Sequence, residues 1–195
     1  MTAVVSAQHP VPNEQERAEL FDIISKRSFR RGRFKLSSGI ESDLYFNLKP
    51  TMMQPRGAFL AARAFLDVLQ SEAAEYVGGL EMGAVPIIGA VAAIGDAEHR
   101  PVETFFVRKQ AKDYGTQDLV EGLGPDETLQ AKRVVVADDV ATSGASLHRT
   151  VEAARAAGAK VESALVLVDR EEGAAEFLAE HNVRLISIFR ASEFA

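Results

Sequence analysis

Residues 134–146 read VVVADDVATSGAS. The apolar run of Val134, Val135, Val136 and Ala137 is the pattern of a strand covered on both faces, and so of a parallel sheet. Asp138 and Asp139 then emerge where the turn begins. Thr142, Ser143, Gly144, Ala145 and Ser146 follow, wrapping the start of a helix predicted from about Ala145. Adjacent carboxylates repel, so two of them at a strand end call for a partner. A helix N-terminus offers free backbone N–H groups and the positive end of the helix dipole to an anion. Gly144 lets the backbone approach that anion closely. A phosphate in the turn, beside two acids that accept hydrogen bonds from vicinal hydroxyls, describes a ribose 5-phosphate. The plainer alternative is that the acids punctuate a turn and Thr142 or Ser143 caps the helix. A lysine-bearing phosphate loop does not fit, because no lysine follows the glycine.

Outward from this stretch the chain alternates. NEQERAELFDIISKRSF places Leu20, Ile23 and Ile24 at helical spacing after an asparagine cap, and PRGAFLAARAFLDVLQ starts with proline and continues in good helix formers. Between them, RFKLSSGIESDLYFNLKPT reads as two short extended pieces about a Ser-Gly turn. YVGGL, VETFFVRK, RVVVADDV, KVESALVLVDR and VRLISIF read as strands. The segments between them include helices at VPIIGAVAAIGD, ASLHRTVEAARAAGA and GAAEFLAEHN. Such alternation implies βαβ units, hence an α/β fold with a central, mostly parallel sheet flanked by helices. Ligands of such sheets bind outside the carboxyl ends of the strands.

The chain has 195 residues, a length that suits one domain, and is 47% hydrophobic and 26% charged, as soluble globular proteins are. No apolar run approaches the roughly 20 residues of a membrane span, and the first residues lack a secretory pattern. With no cysteine, disulfides and thiolate metal sites are excluded, which fits a reducing cytoplasm. The net charge of −6 argues against broad nucleic-acid binding. The four histidines, His9, His99, His148 and His181, show no metal-ligand spacing and are expected in structural or surface roles.

Residues 105–122, FFVRKQAKDYGTQDLVEG, carry three cations, Arg108, Lys109 and Lys112, within five residues of an acidic chain. That concentration suits a multiply charged anion. Most of the stretch lacks helical or strand periodicity and is expected to be a mobile surface loop.

Four apolar residues, two acids and then Thr-x-Gly-x-Ser resemble the phosphoribosyl-diphosphate (PRPP) signature of type I phosphoribosyltransferases. VRKxAKDxG resembles the catalytic loop of the orotate phosphoribosyltransferase family, and SSGIESDLYFN its N-terminal hood segment. With LVDREEG, the similarity spans roughly residues 20 to 190 in consistent order. The resemblance implies one phosphoribosyltransferase domain over residues 1–195, with residues 1–50 contributing an N-terminal helix and a small hood. It implies transfer of ribose 5-phosphate from PRPP to orotate, giving orotidine 5′-monophosphate and diphosphate in pyrimidine (UMP) biosynthesis. Mg2+ would be held mainly by PRPP, with no protein ligand of its own. The active unit would be a cytoplasmic homodimer in which one subunit's loop closes over the other's site. Lys112 would be the loop's catalytic cation, with Arg108 and Lys109 on the diphosphate. Asp138 and Asp139 would meet the ribose, and Thr142, Ser143, Gly144, Ala145 and Ser146 its 5-phosphate. Tyr45, Phe46, Thr142 and Arg170 would surround orotate. The chain departs from the family pattern at Ser37 and Met82, where lysines are common, and at Tyr114, where histidine is usual. A non-catalytic PRPP- or nucleotide-sensing regulator of the same fold, and transfer to another base, are the competing readings. Retention of Lys112 and the absence of any helix-turn-helix segment favour the enzyme over the regulator.

Overall fold

The structure is a computed structural model and describes residues 13–35, 41–110 and 119–195. Its elements follow the chain as α1 (Glu14–Arg27), β1 (Phe29–Lys35), β2 (Glu41–Phe46), α2 (Lys49–Met52), α3 (Pro55–Ser71), β3 (Tyr76–Leu80) and α4 (Val85–Ala97). They continue as β4 (Glu103–Val107), β5 (Val120–Glu121), β6 (Arg133–Ala141), α5 (Ala145–Ala156), β7 (Lys160–Asp169), α6 (Ala174–Glu180), β8 (Arg184–Arg190) and a 3-10 turn (Ala191–Phe194).

Local chemistry sets the helix boundaries. Asn13 Oδ1 accepts from the Gln15 amide, and acids in the first turn and Lys26 and Arg27 in the last complement the α1 dipole. α3 starts with Pro55, and the Gln54 side chain accepts from the Gly57 amide at 2.5 Å.

The main sheet has the order β5-β4-β3-β6-β7-β8 and is parallel except for β5, which runs antiparallel to β4. The chain passes from β3 outward to β4 and later returns to the other side of β3 as β6. The crevice between the ends of β3 and β6 is therefore the topological switch point, where open α/β sheets bind ligands. Both faces of the sheet are covered. Val135 and Ala137 of β6 belong to the apolar layer shared with α1, α3 and α4, whereas Val134 and Val136 belong to the layer with α5 and α6. This two-sided burial is why residues 134–137 are apolar without alternation.

β1 and β2 form a separate antiparallel hairpin. Its base is fixed by aromatic packing: Phe29 lies 5.0 Å from Phe46, and Phe194 lies 4.4 Å from Phe21 and 5.3 Å from Phe46. Each such pair adds about 0.5–1.5 kcal/mol beyond its burial. The Ser-Gly turn expected between the two extended pieces, with Ser37, lies outside the described residues.

Three elements were not foreseen from the sequence: α2, β5 and the final 3-10 turn, each of four residues or fewer. β6 also runs further than expected. Its ladder with β7 continues through Ala141, paired with Asp169, so the two aspartates sit within the strand rather than at its exit.

Candidate functional site

The two aspartates lie at the switch point and are closed in on three sides. Asp138 is 6% exposed, and its Oδ2 accepts a hydrogen bond from Ser146 Oγ at 2.8 Å, while its Oδ1 accepts from the Asp139 amide at 2.9 Å. The turn after β3 reaches both acids. A methyl group on Gly83 would lie 2.5 Å from Asp138 Oδ1 and 3.4 Å from Asp139 Oδ1, so only glycine fits there.

Burial, and next the charge of Asp139, push the Asp138 carboxyl up to about 7, against the opposing hydrogen bonds from Ser146 and the Asp139 amide. Burial also raises Asp139, and the main opposing influence is the positive charge of Lys49, at the start of α2. The pair therefore costs folding free energy at neutral pH, a cost typical of functional sites. Sequence reading missed Lys49. Its only signal was its place two residues beyond the hood-like segment, and its proximity to Asp139 depends on how the hairpin folds back.

Next to the acids, α5 opens without a cap. Its N-cap is Gly144, at φ +83°, and no side chain, Thr142 and Ser143 included, bonds the first-turn amides. This removes the plainer alternative for the turn. The first donor of the α5 ladder is the His148 amide, to Gly144 O at 2.9 Å. Residues 142–146 thus present backbone N–H groups at the positive end of a twelve-residue helix. The turn after β3 adds to this. The Glu81 amide donates to Val107 O and the Ala84 amide to Leu80 O, which leaves the amides of Met82 and Gly83 facing no protein acceptor among the described residues.

The remaining expected residues fall into three groups. Arg170 joins the site to the hairpin. Its amide donates to Ala141 O at 2.9 Å, its Nη2 donates to Leu44 O at 3.0 Å, and its guanidinium pairs with Glu172 at 2.8 Å. Tyr45, beside Leu44, is exposed and stacks on Phe34 at 5.1 Å. Phe46, expected beside the base, instead has its ring in the core with Phe29 and Phe194, because alternation along β2 turns it away from Tyr45. Arg108 faces Glu121 of β5 at 3.6 Å, and Lys109 is exposed at the loop's start. Lys112 and Tyr114 lie outside the described residues. Among the described residues no group of three His, Cys, Asp or Glu side chains could hold a metal ion by itself. The paired carboxylate oxygens still suit a hard cation that arrives with diphosphate and ribose oxygens already on it. No helix among the described residues is long and apolar enough to cross a membrane.

Comparison with known proteins agrees with this geometry. The family model described as the phosphoribosyl transferase domain matches residues 54–188. An orotate phosphoribosyltransferase of Bradyrhizobium sp. (strain BTAi1) is 50% identical over 178 residues, covering 91% of this chain and 96% of its own. The crystal structure of orotate phosphoribosyltransferase from Aeropyrum pernix, 34% identical, superposes with TM-score 0.76 over 90% of this chain and 95% of that one. The Mycobacterium tuberculosis orotate phosphoribosyltransferase in complex with PRPP, 26% identical, superposes with TM-score 0.72 over 93% of this chain and 92% of that one. On the family match and the 50% identity across nine-tenths of its length, the chain belongs to the phosphoribosyltransferase family and to its orotate phosphoribosyltransferase members.

Proposed function

We propose that the protein transfers the 5-phosphoribosyl group of PRPP to N1 of orotate, forming orotidine 5′-monophosphate and releasing diphosphate, as a step of pyrimidine biosynthesis. One observation carries this reading. An uncapped helix N-terminus stands beside two adjacent carboxylates, Asp138 buried and Asp139 half-buried, that share Gly83 as a neighbour, so sites for phosphate, ribose hydroxyls and diphosphate adjoin one another.

In this reading the amides of residues 142–146 hold the 5-phosphate, with the Thr142, Ser143 and Ser146 hydroxyls beside it. Asp138 and Asp139 accept the ribose hydroxyls. The amides of Met82 and Gly83 hold the diphosphate, with Arg108, Lys109 and Lys112 above it. Breaking the C1–O bond to diphosphate leaves positive charge on the sugar and negative charge on the departing group. The acids favour the first and the loop cations the second, an arrangement worth about 10²–10³ in rate per removed donor. N1 of orotate forms the new bond to C1, and its proton passes to solvent. When bound together with PRPP, Mg2+ would supply further neutralisation of the leaving group, with Asp138 and Asp139 as the nearby carboxylates suited to it. Arg170, Tyr45, Thr142 and the main chain of Phe46 border the base. Closure of the loop across a homodimer interface excludes the water that would otherwise hydrolyse PRPP. A cytoplasmic location fits this metabolic step.

The test is direct. Protein mixed with PRPP, Mg2+ and orotate is expected to consume orotate, with no turnover of uracil or hypoxanthine. Binding of PRPP without turnover would favour the sensing regulator, and turnover of a control base would reassign the acceptor. Gly83→Ala is expected to lower kcat/KM for PRPP about tenfold or more, because the methyl group displaces Asp138 and a small misplacement is costly. Steady-state kinetics with PRPP as the varied substrate check it.

A further inference from the structure

The stem of the 105–122 loop is held in a way that the reaction scheme does not require. β4 ends at Val107, and Arg108 N donates to Leu119 O at 2.9 Å, closing the base of the loop. One residue further on, both main-chain groups of Lys109 are taken by charged side chains. Its amide donates to Glu81 Oε1 at 2.8 Å, and its carbonyl accepts from Arg149 Nη2. Glu81 begins the turn after β3, where its own amide is fixed to Val107 O at 2.9 Å. Arg149 lies on α5, four residues after the helix begins at Ala145. The exposed start of the loop is therefore tied at once to the diphosphate-side turn and to the helix that presents the phosphate-side turn. Hydrogen bonds between a charged side chain and a backbone group are about twice as strong as neutral ones. An exposed main-chain segment does not otherwise need two such partners from two different elements.

We propose that Glu81 and Arg149 are positioning residues that set the direction in which the chain leaves the sheet after β4, and so where Lys109 enters the site. The proposal rests on the reading of this site as a PRPP site. It assigns neither residue a contact with substrate. Their effect passes through the main chain of Lys109, and the two act on one residue, so they work as a unit.

The experiment compares E81A, E81Q, R149A, R149K and the double variant E81A/R149A with the parent, using steady-state kinetics and amide hydrogen exchange on ligand-free protein. Each alanine variant is expected to lose about tenfold in kcat/KM for PRPP, the scale on which small misplacements act, with an unchanged melting temperature. E81Q and R149K, which each keep a hydrogen bond, recover at least half of that loss. E81A/R149A is little worse than the weaker single variant, as expected for groups sharing one target. In the exchange experiment the Lys109 amide loses protection in E81A and keeps it in E81Q. Parental kinetics in both alanine variants, independent and multiplicative losses in the double variant, or unchanged Lys109 exchange in E81A would overturn the proposal. The exchange measurement needs no substrate. A parent that fails to turn over PRPP and orotate would count against the functional reading alone, and the exchange result would still decide the clamp.

Discussion

Replacing Asp138 and Asp139 together by asparagine is expected to abolish PRPP-dependent turnover, by about 10³-fold or more, while raising the melting temperature of the ligand-free protein. Both effects have one cause. Asp138 is buried and Asp139 half-buried at the switch point, and in the ligand-free protein the two carboxylates repel each other in a poorly solvated place. The folded-state value of Asp138, about 7, lies above its ordinary 3.8. Between those values the folded protein holds a proton that the unfolded chain has released. Stability is therefore lost as pH rises through this window, and the loss is complete above it. The asparagine variant has no such proton to lose. Its melting temperature should match the parent's near pH 4, rise above it through the window, and stay about 3–5 °C higher at pH 8. Thermal melts from pH 4 to 8, paired with a PRPP binding measurement, check both halves. Unchanged PRPP affinity together with a lower melting temperature at pH 8 would remove the acids from the ribose site.

Lys112→Ala is expected to lower kcat by about 10²–10³-fold and to leave the melting temperature unchanged. The cation is assigned to charge that develops on departing diphosphate. An interaction made only in the transition state lowers kcat and kcat/KM together and leaves KM for PRPP nearly unchanged. Steady-state kinetics and circular dichroism separate this from a folding defect. Near-parental turnover would take Lys112 out of the mechanism and leave Arg108 and Lys109 as the loop's contribution.

The sequence carried the sheet and its central site because both are written in local patterns. The apolar run 134–137 reads as a strand buried on two sides, and Gly144 after two hydroxyl residues as a helix start, whose lack of a side-chain cap only the structure shows. The pieces that escaped reading are non-local. Lys49 acts on Asp139 across ninety positions of chain, Glu81 reaches Lys109, and Arg149 reaches it from another helix. No periodicity records such meetings. Phe46 shows the same limit from the other side. The segment containing it was legible, but which of two neighbouring rings faces inward depends on the aromatic cluster formed by Phe29 and Phe194. The histidines hold a further surprise: His148 and His181, far apart in sequence, lie with rings 3.9 Å apart against Phe177.

The hydrogen bond that joins Arg108 to Leu119 holds the ends of β4 and β5 together at one sheet edge, on either side of the stretch between them. Residues can be inserted or deleted beyond that closure without shifting the pairing of any strand. The cations proposed to meet the diphosphate can therefore vary in number and spacing among descendants of this chain while its core stays as it is, and reactivity can evolve with little effect on thermal stability.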